Sequence, residues 1–438
     1  MNYKEAVRYL NSFIDYEKIG YRDRQAFKLD RMRCLARLFG NPENSFPAIH
    51  VTGTKGKGSI AAFTANILKE AGFNTGLYTS PHLVTPRERI KLNGEMINEH
   101  DFTYHAERIK RKLEREKLDF SPTFFEIYTI LAFNYFKAKK INYAVIEVGL
   151  GGRLDATNIV SPLVAVISPI SREHTLILGN TLEKIAREKS GIIKKGCVLV
   201  SAPQKEGALS VIRKKCKSLA TPLVLIGKDI DFKEIHHDCE KEVFNIMVAP
   251  GEYRHCVSRL LGYHQIVNSS CAVGAIEALK KKGARVSEEN IKKGIETTIN
   301  PGRFEIISKN PYIVLDGAQN RESARALKET VKRNLAFKRL ILVLGISKDK
   351  DMKGIAGELA PLADIIILTK AKIARAEDPH VIKALIKNKN AIVTHFVSNA
   401  VKKAEALAGS EDLILVTGSF FVIGEAKEGK SAKEKLGV

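Results

Sequence analysis

The chain has 438 residues, of which 44% are hydrophobic, and 71 Lys and Arg against 49 Asp and Glu give a net charge of +22. This length exceeds one ordinary hydrophobic core, so we expect two domains, covering residues 1–298 and 299–438. No run approaches the roughly 20 apolar residues that span a bilayer, and the N-terminus lacks the apolar segment of a signal peptide. These features argue against a membrane or secreted protein and predict a cytoplasmic one.

The basic residues and the cysteines are both scattered along the chain. Lysines occur in pairs and triplets on many predicted helices, without a basic tail or an RNA-binding aromatic signature, which argues against a nucleic-acid partner. The six cysteines form no CxxC pair, which favours reduced thiols over a disulfide framework.

The first informative segment runs from His50 to Ile60 and follows a short apolar strand. Its three glycines allow a tight turn that points successive backbone NH groups at one anion, and Lys57 adds a positive charge. The helix that begins near Ser59 directs its positive end at the same point. Strand, loop and helix together predict a phosphate-binding loop rather than a flexible surface turn.

This loop departs from the general nucleotide-binding pattern at one position. Gly56 and Lys57 should be followed by Ser or Thr, but Gly58 follows them and the hydroxyl comes one residue later, at Ser59.

Short β-branched runs then alternate with amphipathic helices up to Ile226, which is typical of a parallel sheet covered on both faces. The predicted strands are residues 48–51, 75–78, 143–148, 164–168, 198–201 and 223–226. Beyond them, residues 233–253 are predicted to form a polar, irregular stretch, and helices are predicted at residues 264–281 and 287–297.

Polar side chains stand just beyond several of these strands, where the chemistry of parallel sheets is usually placed. Ser80, Glu147 and His174 could therefore converge with Ser59 on one edge of the sheet. A lone Glu in an apolar strand is costly to bury without a cation, so Glu147 is a candidate magnesium ligand. The alternatives are an ion pair between Glu147 and Arg153, and a hydrogen-bonded loop role for His174.

Lys189 lies among apolar residues in the helix predicted over residues 181–193. A buried lysine requires neutralisation or modification, although a simple ion pair with Glu188 or Glu183 would also account for it.

The break at Asn300-Pro301-Gly302 precedes a second alternation of strands and helices. Its predicted strands are residues 312–316, 340–344, 364–368, 391–396 and 413–416. The fold class is therefore α/β, with a P-loop-type parallel-sheet ATPase domain followed by a smaller Rossmann-like α/β domain. An active site is expected in the cleft between the two.

A competing hypothesis is a zinc site made of histidines and cysteines in the polar stretch. His236, His237, Cys239, His255 and Cys256 could in principle bind zinc, but their spacing fits no established zinc pattern.

Several separated motifs resemble the folylpolyglutamate synthase/dihydrofolate synthase family of the Mur ligase superfamily. The loop variant with Gly at position 58 is typical of that family, and the resemblance covers nearly the whole chain. The motifs that carry it are residues 53–59, 80–83, 147–158, 188–192, 261–268, 301–305, 316–320, 349–351 and 416–419.

The resemblance implies an ATP-dependent ligase that adds L-glutamate to dihydropteroate and/or reduced folates through an acyl phosphate. It implies ATP and two Mg²⁺ as cofactors, a carbamylated Lys189, and a monomer whose partners are these small molecules. The implied catalytic residues are Lys57, Glu147, His174 and Lys189. The implied ATP-binding residues are Thr54, Lys55, Gly56, Lys57, Gly58, Ser59, Asn268, Arg303 and Asp316. The implied metal ligands are Ser59, Ser80, Glu147, His174 and Lys189.

The resemblance also implies substrate-binding residues, namely Phe124, Phe125, Glu126, Arg153, Asp155, Gln319 and Ser419. By pattern alone, the two phenylalanines could equally be core residues at the start of a helix. Gln319 stands where the family usually has His, and Gln cannot titrate, so we expect retained binding with altered specificity. Glu173 replaces the Asp that commonly precedes the ligand histidine.

Two alternatives belong to other classes of function. One is a Mur-type amide ligase that acts on a different carboxylate acceptor. The other is a basic nucleotide-dependent regulator or nucleic-acid-binding ATPase, which would hydrolyse ATP without needing glutamate.

Overall fold

The structure is a computed structural model that describes residues 1–20, 28–386 and 391–436, with side chains described through residue 429. An eight-stranded sheet occupies the first part of the chain, in the order β4-β3-β2-β5-β1-β6-β7-β8. Six of its strands run parallel, and the short β3 and β4 add an antiparallel edge. The strands are β1 Ala48–Thr52, β2 Thr75–Tyr78, β3 Ile90–Leu92, β4 Glu95–Met96, β5 Tyr143–Glu147, β6 Pro162–Ile167, β7 Val198–Ser201 and β8 Leu223–Leu225.

Helices cover both faces of this sheet, as the continuous apolar strands require. One face carries a core between α4, α10 and α11, and the other carries a core beneath α6 and the N-terminal helices. The helices are α1 Tyr3–Leu10, α2 Tyr16–Ile19, α3 Leu29–Leu38, α4 Lys57–Glu70, α5 Glu99–Arg115, α6 Phe124–Ala138, α7 Thr175–Leu178, α8 Leu182–Lys189, α9 Glu206–Leu219, α10 Tyr263–Lys280 and α11 Glu288–Glu296.

The stretch expected to be irregular is instead a three-stranded antiparallel sheet, so that prediction was wrong. Its strands are β9 Ile230–His237, β10 Glu242–Val248 and β11 Gly251–Ser258. Inward-facing Phe244 and Ile246 alternate with less buried neighbours along β10 and join the main core. The many charged residues on the outer face hid this period-two pattern.

The second part of the chain forms a six-stranded sheet in the order β12-β13-β17-β14-β15-β16. The strand predicted over residues 391–396 is reduced to two residues, and β12 was not predicted. The elements are β12 Glu305–Lys309, β13 Tyr312–Asp316, β14 Leu340–Leu344, β15 Ile365–Leu368, β16 Ile392–Val393, β17 Leu413–Thr417, α12 Arg321–Asn334, α13 Met352–Leu359, α14 Pro379–Leu385, α15 Val397–Leu407 and α16 Phe420–Leu436.

The predicted fold class is confirmed, because a large parallel-rich sheet is followed by a smaller sheet with its own helices. The boundary between residues 298 and 299 stays a prediction. Among the described residues, no helix has the length and apolar character needed to cross a bilayer.

Strand order explains how separated motifs meet. Strands β2, β5, β1 and β6 are consecutive in the sheet, and in this register Val51 of β1 lies opposite Glu147 of β5. The segments that leave the carboxyl ends of these four strands therefore emerge side by side, which is where ligands bind in open parallel sheets.

Candidate active site

An open cleft of about 1030 Å³ lies beyond these strand ends, and residues from both parts of the chain line it. The first part supplies Thr54, Lys55, Gly56, Lys57, Ser80, Glu147, Glu173, His174 and Lys189. The second part, together with the segment that leads into it, supplies Arg303, Gly317, Gln319, Ser323, Lys350, Arg375, Phe420 and Phe421. Ten of the twenty predicted site residues thus line one cleft.

The loop after β1 turns sharply and is fixed by its neighbours. Gly53 and Gly56 both have positive φ, of 144° and 84°, which a side chain would strain. A β-carbon on Gly53 would lie 1.8 Å from Ser168 Oγ, and one on Gly56 would lie 2.2 Å from Asn268 Oδ1. The backbone N–H of Thr54 donates to the carbonyl of Pro169 at 3.0 Å. These contacts leave the N-terminus of α4 facing the cleft, as an anion site requires.

The departure at Gly58 has a direct structural counterpart. A β-carbon at this position would make an ordinary contact 3.4 Å from Oε2 of Glu147, so position 58 lies directly beside that carboxylate. The hydroxyl of Ser59 is buried and accepts a hydrogen bond from Asn300 Nδ2 at 3.1 Å. Asn300 belongs to the break between the two parts, and no feature of the sequence had singled out its side chain.

Glu147 is a buried carboxylate at the end of β5. Its Oε2 accepts a hydrogen bond from the backbone N–H of Ser80 at 3.1 Å, and burial raises its pKa while Lys57 lowers it. The proposed ion pair with Arg153 is absent, because Arg153 instead pairs with Glu188 at 3.0 Å. Within the described chain, no cationic side chain approaches Glu147 within 4 Å, so this carboxylate has room for a cation from outside.

Glu173, in the first part of the chain, forms an ion pair across the cleft with Lys350 of the second part. Its carboxylate lies 3.2 Å from Lys55 Nζ and 3.4 Å from Lys350 Nζ, and these cations hold its pKa well below the usual range against the effect of burial. His174 follows with left-handed backbone, at φ 51°. Burial lowers the pKa of His174 to about 3, and Lys350 contributes in the same direction, so the imidazole is neutral at pH 7 and can act as a ligand.

Lys189 is almost fully buried at the end of α8. Its Nζ donates to the carbonyl of Gly53 at 2.6 Å, and the predicted ion pairs with Glu188 or Glu183 are not formed. Burial, reinforced by Lys57, lowers the pKa of Lys189 to about 7. A substantial fraction of this amine is therefore uncharged near neutrality, the form in which an amine is nucleophilic.

Three residues predicted to contact ATP surround the entry to the second part. Asn268 is buried in α10 beside Gly56. The guanidinium of Arg303 lies 4.4 Å from the ring centroid of Phe420, and burial lowers its pKa. Asp316 accepts hydrogen bonds from the backbone N–H groups of Phe304 and Ala318, and burial raises its pKa while Arg303 opposes this shift.

A second pocket adjoins the first and shares Glu17, Gly149 and Leu150 with it. The predicted substrate residues Phe125, Glu126 and Asp155 line this second pocket. Its remaining residues come largely from the N-terminal segment, namely Ile14, Asp15, Tyr16, Glu17 and Lys28. Burial raises the pKa values of both Glu126 and Asp155.

The other predicted substrate residues are distributed unevenly. Phe124 is 1% exposed and packs under the guanidinium of Arg89, so it is a core residue rather than a pocket surface. Arg153 is half-exposed and lies outside the main cleft. Ser419 is buried and does not line the cleft, whereas Gln319 does.

Sequence reasoning missed several lining residues. Lys350 belongs to a motif that the resemblance included without a role, and Arg375 and Glu17 carried no local signal. Arg375 NH1 pairs with Asp349 at 3.2 Å, and Glu17 neutralises the buried Arg89. Such residues enter the site through tertiary contacts that no short motif encodes.

The side chains around the cleft provide some of the ligands that a magnesium ion needs. Ser80, Glu147 and neutral His174 lie around one cleft and offer hydroxyl, carboxylate and imidazole ligands, and oxygen donors are those that Mg²⁺ prefers. In the part of the chain that the structure describes, no three His, Cys, Asp or Glu side chains group closely enough to hold a metal. A bound Mg²⁺ would therefore take further oxygens from the nucleotide, as Mg²⁺ sites commonly do.

Among the described residues, the polar stretch likewise has no group of side chains that could hold zinc. His236 instead contacts Asp238 at 3.2 Å, and His237 contacts Glu234 at 2.6 Å.

Comparison with known protein families agrees with this geometry. The Mur ligase middle domain matches residues 51–276, and the Mur ligase glutamate ligase domain matches residues 302–420. Fold and site together define the chain as a Mur-type ligase.

Individual relatives show which family of Mur-type ligases the chain belongs to. The chain is 35% identical to the dihydrofolate synthase/folylpolyglutamate synthase of Bacillus subtilis, over 91% of its own length and 94% of that protein's. The Mycobacterium tuberculosis folylpolyglutamate synthase complexed with ADP superposes with a TM-score of 0.90 at 27% identity, covering 97% of each chain. E. coli FolC in complex with DHPP and ADP gives a TM-score of 0.87 at 30% identity, covering 99% of each chain. The chain belongs to the dihydrofolate synthase/folylpolyglutamate synthase family.

Proposed function

We propose that this protein uses ATP to add L-glutamate to the carboxylate of dihydropteroate and/or reduced folates. One observation carries the proposal: the cleft lined by the glycine-rich loop adjoins a second, partly aromatic pocket, and the two share Glu17, Gly149 and Leu150. A nucleotide in one and a carboxylate-bearing ring system in the other would meet at this boundary. The ADP and DHPP complexes of family members support this arrangement.

The chemistry requires an activated carboxylate. Transfer of the γ-phosphoryl group of ATP to the acceptor carboxylate forms an acyl phosphate and releases ADP. The glutamate amine then attacks the acyl carbon through a tetrahedral intermediate, which expels phosphate and leaves an amide. Positioning and charge neutralisation supply most of the catalysis in phosphoryl transfers of this kind.

The loop after β1 has the residues to hold the nucleotide. Backbone N–H groups of residues 54–59 would bind the phosphates, and Lys57 would contact the β and γ groups. Asn268, Arg303 and Asp316 would contact the rest of the nucleotide.

Metal ligands would come from Ser59, Ser80, Glu147, His174 and Lys189. Mg²⁺ held by these residues would supply positive charge to the phosphates during transfer. We propose that Lys189 is carbamylated, because its lowered pKa gives an amine that can add CO₂ and become an anionic oxygen ligand.

The acceptor would lie in the second pocket, beside Phe125, Glu126 and Asp155. The incoming glutamate would reach the cleft from the side of Gln319, and Arg153 and Ser419 stay predicted contacts that do not line the cleft. Because Gln319 donates and accepts hydrogen bonds without titrating, we propose glutamate binding that does not depend on its protonation.

The cellular setting is also a proposal. Free Cys34, Cys197, Cys216, Cys239, Cys256 and Cys271 are compatible with a reducing cytoplasm. We propose a cytoplasmic monomer that acts on small molecules rather than on nucleic acid.

The test is to incubate the purified protein with ATP, Mg²⁺, labelled L-glutamate and either dihydropteroate or tetrahydrofolate. We expect glutamylated product and phosphate in equal amounts. Phosphate release without glutamate would favour an ATPase, and product with other carboxylate acceptors alone would favour a different Mur-type ligase. Either result would overturn the proposed acceptor.

A further inference from the structure

Arg333 connects the second part of the chain to the first through several contacts of its guanidinium. It lies near the end of α12 and its guanidinium donates to Glu234 of β9 at 3.0 and 2.9 Å and to Glu242 of β10 at 2.5 Å. The same guanidinium lies 5.9 Å from the ring centroid of Tyr263, the first residue of α10. One side chain of the second part thus contacts three elements of the first.

Glu242 contacts both Arg333 and the residue that precedes α10. Its side chain is 0% exposed, and its Oε1 accepts from the backbone N–H of Gly262 at 2.6 Å and from Asn334 Nδ2 at 3.0 Å. Gly262 is the residue that precedes α10, with φ 104°. A β-carbon there would lie 2.5 Å from Thr330 Oγ1, so α12 packs directly against the start of α10.

The helix that begins here reaches the nucleotide loop. Asn268 lies six residues after Gly262, about 9 Å along the helix axis at 1.5 Å per residue. It is buried, and its Oδ1 would lie 2.2 Å from a β-carbon on Gly56. Any shift of the start of α10 along its axis would move Asn268 against the phosphate-binding loop, because a helix transmits such a shift along its length.

We infer that Arg333 and Glu242 are positioning residues for nucleotide binding, which set the place of α10 and thereby hold Asn268 against the loop at Gly56. Neither residue lines the cleft, so neither contacts the nucleotide itself. The inference rests on the proposed binding of ATP at this loop. It adds that the contact between α12 and the three-stranded sheet tunes that binding from outside the cleft.

The physical reason lies in the fork geometry of arginine. A guanidinium can donate to two carboxylates in fixed directions, so it fixes the positions of both, whereas an ammonium acts as a point charge. Because Glu242 is fully buried, the guanidinium also offsets the desolvation of its charge.

The test is a double-mutant cycle on ADP binding, measured by calorimetry without other substrates. We expect Arg333→Met and Asn268→Ala each to weaken ADP binding about tenfold, within the range of coupled contacts. Because both act through Asn268, the double variant should bind ADP within about threefold of Asn268→Ala alone. The exposed neighbour Lys332→Met is the matched control and should leave ADP affinity unchanged.

Two readouts separate positioning from a general loss of stability. Arg333→Met should raise KM for ATP while KM for glutamate stays constant. Arg333→Lys, which keeps the charge and loses the fork, should weaken ADP binding about threefold, and it serves as the test if Arg333→Met does not fold. Unchanged ADP affinity in these variants, or losses that multiply in the double variant, would overturn the inference. Failure of the unmodified protein to bind ADP would instead overturn the proposed nucleotide site.

Discussion

The two walls of the cleft are built differently. In the first part, backbone atoms hold the reactive groups: Ser80 N–H holds Glu147, and the Gly53 carbonyl holds Lys189. In the second part, the charged groups depend on other side chains, as Lys350 does on Glu173 and Arg375 does on Asp349. The first wall is therefore held by its own backbone, whereas the second depends on ion pairs, of which the one between Lys350 and Glu173 crosses the cleft. Chemistry should depend on the first wall, and affinity and specificity on the second.

The largest effect should come from Lys57→Ala. Losing the cation at the start of α4 would remove the proposed contact to the β and γ phosphates, and we expect kcat to fall about 10³-fold, as for loss of a preorganised charge contact. Steady-state release of phosphate measures it. Lys228→Ala, an exposed turn residue, is the control and should keep full activity. Unchanged turnover in Lys57→Ala would contradict the role of the first wall.

The next effect concerns Lys189 and its proposed carbamate. We expect Lys189→Ala to reduce kcat about 100-fold, since an oxygen ligand near the phosphates would be lost. In contrast, Lys184→Ala, exposed on the same helix, should behave like the unmodified protein.

The pH dependence of that carbamate follows from the pKa of Lys189, which is lowered to about 7. Above this pH the amine is uncharged and can add CO₂, whereas below it the ammonium cannot. We therefore expect bicarbonate to stimulate the CO₂-depleted enzyme more at pH 8 than at pH 6, and mass spectrometry under native conditions to show one added CO₂. Equal stimulation at both pH values would exclude this interpretation.

A smaller effect should follow from Lys350→Met, on the second wall. Glu173 keeps its contact with Lys55, so only the link across the cleft is lost. We expect kcat/KM to fall about tenfold, equivalent to ~1.4 kcal/mol. Lys348→Met, exposed two residues earlier, is the control. A loss as large as that of Lys57→Ala would erase the proposed difference between the walls.

The smallest effect should come from Gln319→His, which restores the side chain usual in the family. We expect KM for glutamate to change about threefold and to acquire a dependence on pH near 6.5, where imidazole titrates. Gln319→Asn keeps a non-titrating amide and should show no such dependence. If the pH profiles of all three proteins coincide, Gln319 has no part in glutamate binding.

The same contrast explains which features of the fold and of the site could be predicted from the sequence. The loop at residues 53–59 and the polar residues after β2, β5 and β6 follow from local patterns, because a parallel sheet places its strand ends together. Glu17 enters through an ion pair with Arg89, seventy-two residues away, and Lys350 enters through another with Glu173. Neither contact has a local signature. The sheet of β9 to β11 was missed because charged outer positions obscured its alternation.

Burial separates residues that look alike in sequence. Phe124 and Phe125 are neighbours, yet the first is in the core and the second lines a pocket. Helical periodicity places them about 100° apart but does not say which of them faces the ligand.

The closeness of Gly58 to Glu147 has a consequence for protein engineering. A β-carbon at position 58 would make an ordinary contact 3.4 Å from a buried carboxylate oxygen, so returning the loop to the ordinary Ser or Thr pattern would place the new side chain beside Glu147. A mutant library that varies position 58 should therefore vary position 147 with it, because the two side chains would share one space.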